Sequence, residues 1–315
     1  MSRHEEAMVR YDRFQCIVGA AAIGLLAGCG GAMSAPQALN RPATGSHSWV
    51  SRGATGAKLL YVARYSLGNV QIYDSRTLRL VGTLAGFANP QGVAVDGRRN
   101  VYVVDQGPNV VFVFRRGSTM PFETLTDPDG IALQAAVGND GTVYLSNEYD
   151  NHLGNGNVLE FPPGKTRPTR RIDDRDFSVV EDVGLDSHNN LYVTFFDLHS
   201  VGHVNEYPPG SARGKTLPVT LNGAGGIEFD AADDLVVADT DGKAVKVFAQ
   251  GSSSPKYEFA RNQTDPWDVA LARRATRAFV TDPFTGNTYE YALPSGKQRN
   301  VIQNPANTSG VAVEQ

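Results

Sequence analysis

The sequence predicts an all-β chain folded as a six-bladed β-propeller with four-stranded blades. One strand-turn-strand phrase recurs six times between Lys58 and Gln315. Successive copies lie about 40 residues apart, a period typical of propeller blades. The first copy lacks its opening strand, while the last copy, Ser309 to Val313, contains only that strand. We therefore expect the C-terminal strand to complete the N-terminal blade and to close the ring.

Each copy contributes strands with the composition of a packed sheet. First strands begin at six anchors, namely Gly92, Gly130, Asp182, Gly226, Asp268 and Gly310. Second strands are rich in β-branched and aromatic residues, which suit a pleated and packed surface. Third strands often end in an aromatic residue with glycine three positions later, as in Phe114 and Gly117. We expect that glycine to provide the positive φ of a hairpin turn.

Two further patterns complete the blades. Fourth strands are predicted in less regular segments, such as 216–220 in the fourth blade, because the outer edge of a blade faces water. Asp105, Asp239 and Asp282 end second strands at equivalent positions. This regular recurrence favours aspartates that accept hydrogen bonds in turns over aspartates that perform chemistry.

The N-terminus has the pattern of an export signal. Arg10 and Arg13 precede a mostly apolar run that ends at Gly28; at roughly 15 residues the run is short for a membrane span. It closes with Leu-Ala-Gly-Cys29, which resembles the bacterial lipobox, where the signal is removed before a cysteine that is then acylated. The resemblance implies a signal peptide over 1–28 and lipidation of Cys29. An uncleaved signal anchor is the alternative.

These signals predict the domain organisation and the location. Residues 29–57 are rich in Gly, Ser, Ala and Pro, as in a flexible tether, and 58–315 form the propeller. Acyl chains on Cys29 would attach the protein to a membrane. We therefore expect a lipid-anchored protein of the bacterial cell envelope, periplasmic or associated with the outer membrane.

Charge and motifs narrow the range of functions. The net charge of −4 argues against a nucleic-acid surface, because phosphate binding requires a clustered basic patch. P-loop, GxSxG and HExxH patterns do not occur in the sequence. We expect a monomer, and no catalytic residue can be assigned from these motifs.

The repeated phrase P-x-G-[VI]-A-[VL]-D followed by N-[LV]-Y-V-x-D resembles the NHL repeat. The whole array is similar to six-bladed NHL, SMP-30/gluconolactonase-like and TolB-like propellers. This architecture hosts scaffolds, ligand binders and lactonases alike. Two functions therefore stay open: a module that binds a protein or a small molecule, and a metal-dependent lactone hydrolase.

Loop lengths indicate where a ligand would bind. Loops between second and third strands lie on one face of a propeller, and they are longest in the third and fourth blades. Candidate residues in these two insertions are Glu148, His152, Phe196, Asp197 and His199. At the mouth of the central channel on the same face, Gln91 and Trp267 join the candidates.

Four carboxylates are also predicted around this channel mouth: Asp129, Glu181, Asp182 and Asp268. Crowded carboxylates repel one another unless a cation joins them or some are protonated. They form a candidate site for Ca²⁺ or another divalent cation. The pair Asp129-Gly130 resembles the metal-binding aspartate of SMP-30-like enzymes, which would use such an ion to activate water. A hydrated rim without a metal is the alternative.

Overall fold

The computed structural model describes residues 49, 54, 56–128, 130–150, 154–272, 275–304 and 307–315. They form six four-stranded antiparallel sheets, which are the blades of a β-propeller. A short 3-10 turn, Tyr65–Leu67, interrupts the all-β pattern. No helix among the described residues is long and apolar enough to cross a membrane. The predicted signal peptide and Cys29 lie outside the described residues, as do Asp129 and His152.

We number the strands in chain order and the blades from the N-terminus. The innermost strands surround the central channel: β4 (Pro90–Val95), β8 (Gly130–Val137), β12 (Val179–Leu185), β16 (Ile227–Phe229), β20 (Val269–Leu271) and β24 (Thr308–Val313). The second strands pair with them: β1 (Leu59–Arg64), β5 (Val101–Asp105), β9 (Val143–Asp150), β13 (Leu191–Phe196), β17 (Leu235–Asp239) and β21 (Arg277–Asp282).

The remaining strands lie farther from the channel. The third strands are β2 (Asn69–Asp74), β6 (Val110–Phe114), β10 (Asn157–Phe161), β14 (Gly202–Tyr207), β18 (Ala244–Phe248) and β22 (Asn287–Ala292). The outer strands are β3 (Leu80–Ala85), β7 (Pro121–Thr126), β11 (Arg170–Ile172), β15 (Lys215–Thr216), β19 (Pro255–Phe259) and β23 (Lys297–Ile302). Blade 1 consists of β24, β1, β2 and β3, and the other five blades are consecutive in the chain.

Burial follows the position of a strand in its blade. Strands β1 and β17 are buried at every residue, because neighbouring blades cover both faces of a second strand. Outer strands are more exposed, and Leu80 and Phe122 are accessible to solvent. The outer strand of blade 4 is shorter than the predicted 216–220, and that prediction was wrong. Pro218 has no N–H to donate to a strand ladder, so backbone bonding to β14 ends at Leu217, whose N–H donates to the carbonyl of Val204 at 2.8 Å.

The hydrophobic core consists of six clusters, one in each interface between neighbouring blades. Strand β1 illustrates how one strand contributes side chains to two of these clusters. Tyr61 and Ala63 pack toward blade 2, whereas Leu60 and Val62 pack toward blade 6. Successive side chains of a strand point to opposite faces, so each blade contributes one face to each neighbour.

The hairpin turns between third and fourth strands have the predicted geometry. Gly117, Gly164, Gly210 and Gly251 have φ angles of +85°, +74°, +76° and +73°. Each follows the aromatic residue that ends a third strand, such as Phe114 before Gly117. The prediction that these glycines supply a positive φ is confirmed.

Ring closure also occurs as predicted. Strand β24 pairs antiparallel with β1, and Leu60 lies opposite Val313 while Val62 lies opposite Val311. The last strand of the chain is thereby the innermost strand of the blade that the N-terminal repeat begins. This pairing gives β1 a partner on each side.

Glu314 fixes this closure on the side of blade 2. Its carboxylate is buried and accepts hydrogen bonds from the Tyr61 hydroxyl at 3.0 Å and from the backbone N–H of Leu59 at 3.3 Å. Arg116 of blade 2 donates through Nε to the same carboxylate at 2.6 Å. Burial and the nearby Glu314 raise the pKa of Tyr61, so its hydroxyl keeps its proton.

Two residues of the predicted tether also belong to this core. Trp49 is buried and packs edge-on against Tyr61, with ring centroids 5.8 Å apart. Its indole N–H donates to the carbonyl of Ser118. Ala54 is buried in the same cluster. The packed unit therefore includes residues N-terminal to the predicted start at 58.

We predict that Glu314→Ala lowers the free energy of unfolding by about 3 kcal/mol, because Arg116 Nε and the Tyr61 hydroxyl lose their buried acceptor. Urea unfolding of the purified propeller measures the change. The matched control is Glu258→Ala, which removes an ion pair to the exposed Arg261 and should cost under about 1 kcal/mol. Equal losses in the two variants would contradict the role of Glu314 in closure.

Candidate functional site

One face of the propeller carries the loops between second and third strands; we call it the loop face. Among the described residues, four exposed apolar side chains lie on these loops, in blades 1, 4 and 6. Leu67 is 51% exposed, Leu198 is 66% exposed and Phe284 is 69% exposed. Val201, 43% exposed, adds to the loop of blade 4. Apolar side chains that lie together on a surface mark sites that contact another molecule, and Leu67 and Phe284 lie on loops of the adjacent blades 1 and 6.

The insertions predicted in blades 3 and 4 are partly strand rather than loop. Strand β9 continues through Asp150, so Glu148 lies in a strand, and Phe196 is the last residue of β13. The sequence analysis was wrong to treat both residues as loop. The extra length of blade 3 is absorbed by long β8 and β9 strands, whose pairing contains two register shifts.

Glu148 nevertheless has an unusual environment. Its residue is half-buried, and removal of its carboxyl from water raises the pKa of that carboxyl to about 7. A carboxyl group of this kind exchanges its proton near neutral pH. The carbonyl of Glu148 lies near Gly156, and Gly156 lies near Val180 in β12. Glu148 is therefore close to the start of the innermost strand of blade 4.

Asp197 organises the loop of blade 4. Its carboxylate accepts the backbone N–H groups of His199 at 2.8 Å and Val201 at 2.9 Å, and His203 Nε2 lies 3.1 Å from Oδ2. These bonds lower the pKa of Asp197. The His199 ring is exposed, whereas the His203 ring packs on Phe195. Asp197 therefore shapes the loop, and His199 is presented to solvent.

Six equivalent positions form a ring around the channel, which we call the inner ring: Gly92, Gln134, Asp182, Gly226, Asp268 and Gly310. Each precedes the two or three innermost-strand residues that line the channel in its blade. Neighbouring members nearly touch, since a Cβ on Gly92 would lie 2.4 Å from Gln134 Oε1 and one on Gly226 would lie 2.4 Å from Asp268 Oδ1. The predicted anchor of blade 3, Gly130, was wrong. The bulged β8 moves the equivalent position to Gln134.

The two aspartates of the inner ring connect neighbouring blades. Asp182 accepts the N–H groups of Val183 at 2.7 Å and of Ile227 in blade 5 at 2.9 Å. Asp268 likewise accepts Val269 at 2.7 Å and Val311 in blade 1 at 2.8 Å. Innermost strands expose unpaired N–H groups at their inner edge, and these carboxylates satisfy four of them.

A hydroxyl group supports each polar member of the ring, which the sequence analysis missed. Thr194 Oγ1 accepts the N–H of Asp182 at 3.1 Å and donates to the carbonyl of Gly225 in the next blade at 2.7 Å. Thr281 does the same between Asp268 and Ser309, and Ser146 between Gln134 and Glu181. The sequence signal for these supports was a Ser or Thr in the second strand, at the position opposite the inner-ring residue.

The channel encloses a cavity of about 200 Å³. Its wall includes three carboxyl groups, from Asp182, Glu228 and Asp268. Burial raises the pKa of Asp268 to about 7, and burial with the nearby Asp268 raises that of Glu228 to about 8. Burial and Asp268 also raise the pKa of Asp182 well above its usual range. The cluster therefore holds protons near neutral pH rather than three full charges.

The other residues predicted at the channel mouth lie close to this ring. Gln91 is buried in β4 and Glu181 in β12. Trp267 is half-buried, and its carbonyl accepts the N–H of Gly226 at 2.7 Å. The structure thus brings Gln91, Glu181 and Trp267 to one end of the channel beside Asp182 and Asp268.

The described residues do not fit the expected divalent cation well. They contain no group of three or more His, Cys, Asp or Glu side chains that could hold a metal ion. Asp182 and Asp268 each use both carboxylate oxygens to accept backbone N–H groups. Asp129 lies outside the described residues. The cation site stays a prediction, and no catalytic step is derived from it.

The aspartates that end second strands accept hydrogen bonds in turns, as predicted. Asp105 accepts the N–H groups of Ala88 at 2.9 Å and Asn89 at 2.7 Å. Asp239 and Asp282 make equivalent bonds in blades 5 and 6. In each case a buried carboxylate holds the connection between two blades against the second strand.

Comparisons with known proteins support the fold alone. No protein-family model and no curated protein matches the sequence. The chain is similar to one in the crystal structure of a nidogen/laminin complex, with a TM-score of 0.68 and 14% identity over 82% of this chain and 99% of that chain. It is also similar to a protein of unknown function from Bacteroides caccae, with a TM-score of 0.63 and 12% identity over 82% and 100% of the two chains.

We predict that the free energy of unfolding falls as pH rises from about 5 to 8.5, because carboxyls with raised pKa values bind protons more tightly in the folded state than in the unfolded state. Glu228→Gln should make this fall shallower by removing the carboxyl whose pKa is about 8. Urea unfolding at several pH values measures the slope. Glu123→Gln in β7 serves as the control and should follow the wild type. A wild-type slope in Glu228→Gln would contradict the assignment.

Proposed function

We propose that this protein is a binding propeller that takes a protein partner on its loop face. The observation that carries this proposal is the group of exposed apolar side chains on three loops of that face, Leu67, Leu198 and Phe284. Binding of a partner that removes these apolar side chains from water lowers the free energy of the system. Asp197 shapes the loop that presents Leu198 and His199, because it accepts two backbone N–H groups within it.

The comparisons are consistent with a partner that is a protein. One similar chain comes from a nidogen/laminin complex, so a propeller of this fold is part of a protein assembly there. Its identity to the present chain is 14%, which supports the fold and leaves the partner open. The resemblance of the repeats to the NHL family adds the same expectation, because that architecture often serves as a binding scaffold.

We further propose that the propeller is held at the bacterial cell envelope by acyl chains on Cys29. The apolar run that ends in Leu-Ala-Gly-Cys29 supports this proposal. Two or more acyl chains anchor a protein stably, whereas a single chain binds a membrane only marginally. Such an anchor would concentrate the loop face near other envelope proteins. The lactone hydrolase gains no supporting observation from the described residues, and we do not put it forward.

Loss of one apolar side chain on the loop face tests the binding proposal. We expect Leu198→Asp and Phe284→Asp each to weaken capture of envelope proteins by at least tenfold, because a charge would be buried at the contact. The measurement is quantitative cross-linking of tagged protein in its native envelope. The matched control is Leu80→Asp on outer strand β3, where Leu80 is 49% exposed. Capture that Leu80→Asp reduces as much as the loop variants would contradict a partner on the loop face.

The anchor has its own test. We expect Cys29→Ser to move the protein from the membrane fraction to the soluble fraction and to abolish incorporation of labelled fatty acid. Cys16→Ser provides the control, because Cys16 lies within the apolar run and would be removed with the signal. Fatty-acid labelling that survives in Cys29→Ser would contradict lipidation at this residue.

A further inference from the structure

Arg64, the last residue of β1, is a buried cation with no counter-charge among the residues that the structure describes. The residue is 3% exposed. Within the described part of the chain, neither its Nε nor its Nη2 has a hydrogen-bond partner. Burial lowers the pKa of Arg64, and Tyr73 is the titratable neighbour that affects it. An arginine stays protonated in proteins, so a bare guanidinium in this place would be strongly destabilising.

Comparison of the six blades shows which residues occupy the position equivalent to Arg64. Arg64 lies opposite Thr308, just as Asp105 lies opposite Pro90 in blade 2. Thr308 and Pro90 both stand two residues before an inner-ring glycine. Arg64 is therefore the blade 1 equivalent of the turn-capping aspartates. The six equivalent residues are Arg64, Asp105, Asn147, Phe195, Asp239 and Asp282.

This substitution reverses the hydrogen-bonding role of the position. In blades 2, 5 and 6 a carboxylate accepts N–H groups from the connection that leads into its blade. Arg64 offers only donors, because a guanidinium has no acceptor. In blade 1 the corresponding connection lies between β23 and β24, and its described residues are Gln303, Asn304 and Asn307. The carboxylate that holds this connection in blades 2, 5 and 6 is missing from the described residues of blade 1.

Other unpaired polar groups lie in the same interface, between blades 6 and 1. Side chains of Leu60 and Val62 point into that interface, and Arg64 continues the alternation of β1. Asn304, which is 7% exposed, has no partner for Nδ2 among the described residues, and its Oδ1 lies 3.5 Å from the Tyr73 hydroxyl. Thr288, 1% exposed, has no partner for Oγ1 there either.

We propose that Arg64 binds a small carboxylate anion in the interface between blades 6 and 1. The anion takes the place of the aspartate carboxylate that blades 2, 5 and 6 supply. A planar carboxylate matches the parallel N–H bonds of a guanidinium, and Arg64 keeps Nε and Nη2 available for such a pair. Asn304 Nδ2 is the second donor. The ligand thus pairs a buried charge at the seam where the ring closes.

Acetate serves as the probe. Wild-type protein dialysed into an anion-poor buffer at neutral pH should gain thermal stability with sodium acetate relative to sodium chloride of the same ionic strength. At ten times the dissociation constant, linkage predicts a rise in Tm of about 2 to 3 °C for a folded unit of this size. Broadening of the ¹³C-acetate NMR signal by the protein measures binding directly. Equal effects of acetate and chloride on Tm, without line broadening, would overturn the proposal and indicate that water fills the place.

Two variants separate binding from a general effect on folding. Arg64→Met should lose both the acetate response and the line broadening. Arg64→Asp places a carboxylate where blades 2, 5 and 6 have one, so it should melt cooperatively and show no acetate response. Arg213→Met removes an exposed arginine and should behave as the wild type. An acetate response that persists in Arg64→Asp would overturn the assignment of Arg64, even if Arg64→Met failed to fold.

Discussion

Pairing of β24 with β1 is the interaction on which the rest of the molecule depends. Without it, β1 would expose an edge of unpaired backbone groups, and the faces of blades 1 and 6 would be separated. With it, the six interfaces become equivalent, and the innermost strands enclose a channel. Glu314 fastens this seam on the side of blade 2, while Arg64 lies at its other side, toward blade 6.

Closure also sets the chemistry of the channel. Six innermost strands that meet at their ends leave little room for side chains, which explains why three inner-ring positions are glycine. The two aspartates of the ring are used to satisfy backbone N–H groups of adjacent blades, and that bonding opposes the desolvation that raises their pKa values. Among the described residues no hydrogen bond lowers the pKa of Glu228, so its burial, with the nearby Asp268, keeps that pKa raised. Two of the three channel carboxyl groups, those of Asp182 and Asp268, therefore serve to hold neighbouring blades together.

The repeat made the fold predictable from the sequence, since period, strand composition and the split first blade all indicated the same closed ring. The site was harder to predict, because it depends on where the repeats differ. The bulge in β8 shifted the inner-ring position of blade 3 to Gln134, which no composition pattern indicates. Glu228 did leave a signal, as a charged residue within the apolar anchor of blade 5. Arg64 was hidden because the first copy lacks the strand used to align the others.

A ring of equivalent blades provides its own internal comparison. Packing and hydrogen bonding place nearly the same demands on equivalent positions, so a residue that reverses the polarity of its position carries a free-energy cost that something else must offset. Asp105 and Asp282 meet the demand by accepting N–H groups from the adjoining connections. Arg64 cannot meet it in that way, since it supplies donors where blades 2, 5 and 6 have an acceptor. A bound anion would pair with the guanidinium and accept hydrogen bonds from the donors around it. Without the anion, the unpaired guanidinium would make the interface between blades 6 and 1 the weakest of the ring.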